Sequence, residues 1–447
     1  MKLLLLSFFL FSGDTTNKDL SKITTSNYLQ DTVSQNKWGA KLGGFIGTDL
    51  FWDTRAVVES RDGVLCLYPE NVRPDINGKD INARPSFNFL ALNTRLTVRI
   101  EAPDALGAKV SGMVEGWFAG MSNNDMNGFA MRHAFIKMDW KKSSLLMGQT
   151  WHPLFTEECF AQTVAGSAGS PFQPFSRAPQ IRFQHYIRNG STIMFYINAQ
   201  RDFLSFGSAG NSSSYLRNSA IPETGLQYFY SSMSQKIFLG LGVDYKYLIP
   251  RIVTDSNIYT RNGLHAPTAF VLVHYKHYFA EDILLGIKAK GLYGQGSNEF
   301  LMLGGYAYQY YDNQPLNPSV NYSYTGINTA AAWIDIYVKD RKRLWEAGVF
   351  GGYTQNLGSN KNIQDWNNPN AYFSRGYDIK YIYRISARAM YTANKLQFGL
   401  EPEYTAATYG NIVNEHGIVQ KPSNAFPDAK INHVGNLRIL FNATLYF

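Results

Sequence analysis

Beyond residue 40 the chain repeats one unit: roughly ten to fifteen residues in which apolar and polar side chains alternate, then a polar break. Across residues 90–101, Leu92, Leu96, Val98 and Ile100 take one face and Asn93, Arg95, Thr97 and Arg99 the other. Residues 191–200 repeat the pattern, with Ile193, Phe195 and Ile197 opposing Thr192, Tyr196 and Asn198. In the last stretch Leu437, Ile439, Phe441, Ala443, Leu445 and Phe447 oppose Asn436, Arg438, Asn442 and Thr444. A side-chain period of two belongs to β-strands with different surroundings on their two faces, so the chain reads as all-β.

The breaks alternate as well. Short ones fall at 102–107, 141–143, 188–190, 232–234, 280–282, 339–341 and 392–394. Long ones, rich in Asn, Gly, Pro and Ser, fall near 54–89, 120–127, 152–178, 201–223, 249–265, 296–325, 355–377 and 410–430. Seven short and eight long connections join sixteen strands that begin and end on one side, which predicts a transmembrane antiparallel β-barrel with short periplasmic turns and long extracellular loops. Residues 301–311 carry a strand-like pattern too, but a further strand there breaks the parity of the ends, so they are read as loop.

Composition bears on whether such strands face water or lipid. Only 17% of residues are charged, 45% are apolar, and Phe 29, Tyr 29 and Trp 8 supply far more buriable surface than a disordered chain carries. A soluble β-sandwich or propeller is the competing reading. Strand length, the Arg and Lys on the polar face, and aromatics near strand ends (Trp52, Trp140, Trp151, Tyr275, Tyr278, Tyr446) favour the barrel, because only closure pairs every backbone group in lipid. Residues 1–13 read as a secretory signal, with Lys2 before an apolar stretch too short to span a bilayer; a signal anchor is the alternative. Residues 14–40 read as a polar periplasmic extension and 41–447 as the barrel, which places the protein in an outer membrane with lipid as its first partner.

Several segments resemble the DcaP-like porins: residues 43–55 (GGFIGTDLFWDTR), 95–101, 115–120 (EGWFAG), 131–135 (MRHAF), 147–151 (MGQTW) and 179–183 (PQIRF). The resemblance is specific over about residues 40–190 and architectural beyond. It implies a sixteen-stranded barrel, usually a homotrimer, that passes small, often negatively charged organic solutes by diffusion. Members of that family commonly carry an amino-terminal coiled coil, whereas residues 14–37 here offer only a weak helical stripe of Leu20, Ile23, Leu29 and Val33.

Placing the polar face of each strand inside gives a pore wall carrying Arg95, Arg99, Lys109, Arg182, Lys246, Lys276, Lys288, Lys290, Lys380, Arg384, Arg388 and Arg438, with Arg132 added by its place in the R-H-A-F motif. Facing them stand Asp49, Glu101, Glu115, Asp244, Asp335, Glu346, Glu401 and Glu403, so the wall is expected to be basic and to favour anions. Cross-strand pairing predicts Arg384 and Arg388 against Glu401 and Glu403, and Arg95 and Arg99 against Asp49 and Glu115. Lys288 and Lys290 lack an evident partner and are expected to meet solute, while His133 is expected outward or at the rim. By its residues alone the loop 152–178 reads as an exposed cap, though Gly166, Ala168 and Gly169 allow tight backbone; the family resemblance implies that it folds inward, with Glu157, Glu158 and Arg177 on one side of a constriction.

Cys66 and Cys159 both lie in predicted outer loops, so a disulfide between them is possible. Phosphate loops, G-x-S-x-G, H-E-x-x-H and zinc spacings are absent, so no metal or cofactor is expected; no nucleic-acid motif accompanies the net charge of +8, and His133, His274 and His277 have no evident serine partner for an enzyme. The leading expectation is a passive channel without covalent chemistry. A barrel that binds a ligand or partner through its long aromatic loops is the alternative.

Overall fold

The structure, a computed structural model, describes residues 38–279, 282–311, 315–340, 342 and 344–447. The expected signal at 1–13 and all but the last residues of the expected extension at 14–40 lie outside the described residues. Sixteen strands form the wall: β1 Gly39–Asp53, β2 Arg95–Ala105, β3 Ala108–Trp117, β4 Ala130–Asp139, β5 Ser143–Trp151, β6 Arg177–Tyr186, β7 Ser191–Asn198, β8 Glu223–Ser231, β9 Ile237–Leu248, β10 Leu264–Phe279, β11 Ile283–Gly294, β12 Tyr324–Asp340, β13 Trp345–Ser359, β14 Ile379–Ala393, β15 Leu396–Gly410 and β16 Ile431–Tyr446. Each pairs antiparallel with the next, and β1 pairs with β16 from Phe45↔Tyr446 to Asp53↔Arg438, which closes the ring. The alternation of short and long connections is as the breaks predict.

Alternation in sequence becomes alternation in surroundings. Along β10, Ala266, Thr268, Phe270 and Leu272 are buried inside while Pro267, Ala269 and Val271 are exposed outside. The outer surface carries Phe195, Leu226, Leu241, Val243, Val349, Ile385, Leu400 and Phe441, an apolar area far beyond what a water-facing monomer exposes. No described helix is long and apolar enough to cross a membrane; the strands are the crossing elements. Near the turn end stand exposed Tyr275, Tyr278, Trp345, Tyr391 and Phe447, suited to a bilayer interface.

Three departures from period two have local causes. Gly304–Tyr308 is a strand after all, paired with the start of β12 and with Tyr372–Arg375, but it rises above the wall within a long loop, so the wall keeps sixteen strands. A bulge in β4 sets Glu115 opposite His133 and Gly116 opposite Met131, leaving Arg132 extra. Both Arg132 and His133 are therefore buried inside, which corrects the outward placement of His133. Trp151 is also inside the barrel and not in an interfacial belt, stacked on Phe155 with ring centroids 4.1 Å apart.

Candidate functional site: a strap across the lumen

The loop after β5 leaves the wall at His152, crosses the interior and returns at Arg177; its ends are held by the His152 amide donating to the Ser176 carbonyl at 3.0 Å. Leu154, Phe155, Cys159, Ala161, Phe172 and Phe175 are buried in one cluster with Phe270, Leu272, Trp333 and Phe350 of the wall. Small wall residues make room for it. A Cβ on Gly352 would stand 2.5 Å from the Phe172 ring, and one on Gly399 would stand 2.8 Å from Val164.

A segment with little regular structure needs partners for its backbone when buried, and charged wall residues supply them. Lys290 donates to the Leu154 carbonyl, Lys288 Nζ to the Phe160 carbonyl at 3.2 Å, and Arg384 Nη1 to the Ser170 carbonyl at 2.8 Å. In the opposite sense the Gln162 amide donates to Asp335 Oδ2 at 3.1 Å, and the Val164 and Ala165 amides donate to Glu401 Oε2 at 2.6 and 3.1 Å. A second insert, the hairpin of Val57–Ser60 and Leu65–Pro69 from the first long loop, lies over β14–β16: Arg384 Nη2 reaches the Cys66 carbonyl at 2.9 Å, and Arg438 Nη1 the Gly63 carbonyl at 2.7 Å.

Most of the wall charges thus have carboxylates or carbonyls as partners, not all of them those expected. Arg95 meets Glu115 at 4.0 Å, Arg132 meets Glu115 at 2.8 Å and Arg384 meets Glu403 at 3.3 Å. Arg388 turns away from Glu401 to the other side, to Glu346 of the neighbouring β13 at 3.1 Å and past it to Asp335 of β12 at 2.6 Å. Asp49 accepts from Asn442 at 2.6 Å, and Arg438 pairs with Asp53 at 2.8 Å. Lys288 and Lys290 are not bare: at 4% and 3% exposure they lie beneath the strap and hold it. Arg177 lies at the strap's root, its guanidinium 4.9 Å from the Trp117 ring and 4.7 Å from Trp151, and 3.2 Å from Asp202. Cys66 and Cys159 are separate free thiols, which corrects the possible disulfide: the Cys66 carbonyl meets β14, whereas the Cys159 thiol points to the Val273 and Ala289 carbonyls of β10 and β11. Burial pushes both thiols up to about 11.

Water still reaches one arc. Beyond its root at His152, the strap's polar contacts with the wall go to β10, β11, β12, β14 and β15, and across from them Arg95 keeps 23% of its side-chain surface. Arg99, Arg182 and Lys276 are also partly exposed, and among the described residues none has a carboxylate within 4.0 Å. Arg182 instead donates to the Trp151 carbonyl at 2.8 Å. Glu157 and Glu158 are the charged, partly exposed residues between His152 and Ser176; Arg182 acts electrostatically on both and Lys276 on Glu158. The arrangement is an aqueous edge with cations on the wall and two carboxylates on the strap.

Burial first, and the Glu158 carboxylate next, push the Glu157 carboxyl up to about 7, with Arg182 opposing. Above that pH the group is anionic and below it neutral, so acidifying from about pH 8 to about pH 6 removes one negative charge beside Arg182. Any preference for anions is expected to be larger at the lower pH. Glu157→Gln is expected to flatten that dependence, read as reversal potential under a salt gradient at both pH values.

Solved structures share this architecture. The outer-membrane channel DcaP of Acinetobacter baumannii is 13% identical, with a TM-score of 0.63 over 93% of this chain and 99% of that one. The chain has the porin fold. The anion-selective porin from Comamonas acidovorans, 8% identical, aligns with a TM-score of 0.51 over 92% of this chain and all of that one. No protein-family model matches the sequence, and no curated protein does. The resemblance read from residues 43–183 is thus met by the fold of the whole barrel.

Proposed function

We propose that this porin-fold barrel is an outer-membrane channel for passive diffusion of small solutes, with a preference for anions of the carboxylate class and no covalent chemistry. The observation that carries the reading is the water-reached arc, where Arg99, Arg182 and Lys276 stand without carboxylate partners. In a narrow passage with low-dielectric walls, unpaired cations raise the local concentration of anions. A solved porin of this fold described as anion-selective supports the direction. The homotrimer that the family resemblance implies belongs to the same proposal, and a mass measurement on detergent-solubilised protein tests it.

The alternative, a barrel that binds partners through its aromatic loops, is disfavoured by where those rings sit. Tyr306, Tyr308, Tyr322 and Tyr324 pack on one another and on Phe373, nearly all their surface buried, so they hold the loops together and present little to a partner. Purified protein in a planar bilayer under a salt gradient separates the two readings. Steady conductance with an anion-favouring reversal potential is expected. Replacing Arg182 and Lys276 together by Gln is expected to move that potential toward the non-selective value. A closed channel with saturable ligand binding would establish the alternative.

A further inference from the structure

At the root of the strap a group of charges lies wholly out of water and out of balance. His152, the first strap residue, stands against Glu223 of β8 and Asp244 of β9, and their ligand-capable atoms all lie within 4.8 Å of one another. Lys246 is paired with Glu299 and is 3.8 Å from Glu223 Oε1. Three carboxyl groups thus surround one ammonium in a site at most 2% exposed, so without a further cation the surplus acids must hold their protons. Buried ions cost several kcal/mol each unless paired or bound to metal. Two of the acids also have an oxygen left over: Glu223 Oε1 and Asp244 Oδ1 are buried without a hydrogen-bond partner.

We propose that His152, Glu223 and Asp244 bind one divalent transition-metal ion of the zinc type, which fastens the root of the strap to the wall. A doubly charged ion takes the place of the protons those carboxyls otherwise hold, releasing them to solvent, and supplies a partner to both oxygens. Zinc takes histidine nitrogen and carboxylate oxygen at about 2.0–2.2 Å, so tetrahedral ligands stand about 3.3 Å apart. His152 Nε2 and Glu223 Oε1 stand 3.4 Å apart. Asp244 is steadied by the Tyr196 hydroxyl, which donates to its other oxygen at 2.8 Å and leaves Oδ1 free to turn inward. Asn198, whose amide lies 2.8 Å from His152 Nε2 and whose Oδ1 also lacks a partner, offers a fourth oxygen once its amide is rotated.

Loading has a cost. The Leu154 amide donates to His152 Nδ1 at 3.2 Å, which keeps the imidazole proton on Nε2. The ion displaces that proton to Nδ1 and the Leu154 contact is lost, at about 1 kcal/mol. Two buried carboxylate oxygens gain a partner in exchange, at about 1–3 kcal/mol each before any metal–ligand energy is counted. The ligands come from three distant stretches of chain, so no sequence spacing announces them.

The test uses the full purified chain in detergent, stripped with chelator and titrated with zinc ion alone. One equivalent per chain is expected, with cobalt giving the visible absorbance of a four-coordinate site. His152→Asn and Glu223→Gln are each expected to weaken zinc binding at least about tenfold. His416→Asn, at the exposed His416–Glu415 pair, is expected to leave it unchanged. Asp244→Asn, which keeps the volume, serves where a variant fails to fold. Absence of stoichiometric zinc binding in the folded wild type, or full binding in the folded His152 and Glu223 variants, would overturn the site.

Discussion

Removing residues 158–170 from the strap is expected to raise single-channel conductance several-fold, because a sixteen-stranded wall without an insert encloses a wide aqueous channel. The barrel is expected to survive. The strap's ends are already bonded, His152 to Ser176, so a short bridge suffices. Glu401, Lys288 and Arg384 would not be left as bare buried charges, since water takes the place of the strap's backbone. Anion preference should rise with conductance, as Lys288 loses the Phe160 carbonyl and becomes hydrated. Conductance unchanged from the wild type in a folded variant would mean that the strap does not set the passage.

Replacing Arg388 by Ala is expected to be the most destabilising single change, by about 3–5 kcal/mol, because it strands Asp335 without its cation in a fully buried site. Asp335 also accepts the Gln162 amide, so the loss loosens the middle of the strap as well as the wall. The measurement is the denaturant midpoint of the detergent-solubilised barrel. The triple change Arg388→Met, Asp335→Asn, Glu346→Gln should recover most of the loss, since it removes the stranded charge along with the cation. An Arg388→Ala midpoint within error of the wild type would show that Asp335 rehydrates in place.

Strand count, parity and facing were legible because each side chain on a closed wall obeys a period of two, and the rule fails only where an extra residue enters. The bulge at Arg132 is such a place: nothing in the letters M-R-H-A says that two successive residues share a face. The inward loop was legible through the family resemblance and not from its residues alone, and the use it makes of the wall was not legible at all. Lys290 looks unpaired to a rule that seeks carboxylates on neighbouring strands, and Lys288, although it faces Asp335 across β11 and β12, gives its hydrogen bonds elsewhere; both reach backbone carbonyls of a segment distant in sequence. Asp53 and Glu223 escaped notice for the same reason. Asp53 meets Arg438 only when the ring closes, and Glu223, beside Lys246 on the β8–β9 hairpin, meets His152 only once the strap is in place.

The contact between β1 and β16 sets the order of assembly. Every other wall contact joins strands that are neighbours in the sequence and can zip from a hairpin or loop, whereas Phe45 finds Tyr446 across nearly the whole chain. Closing a loop that long costs about 5 kcal/mol in chain entropy, so the seam forms last. Until it does, the growing sheet exposes two sticky borders. A cell that makes this protein must therefore shield those borders until the ends meet.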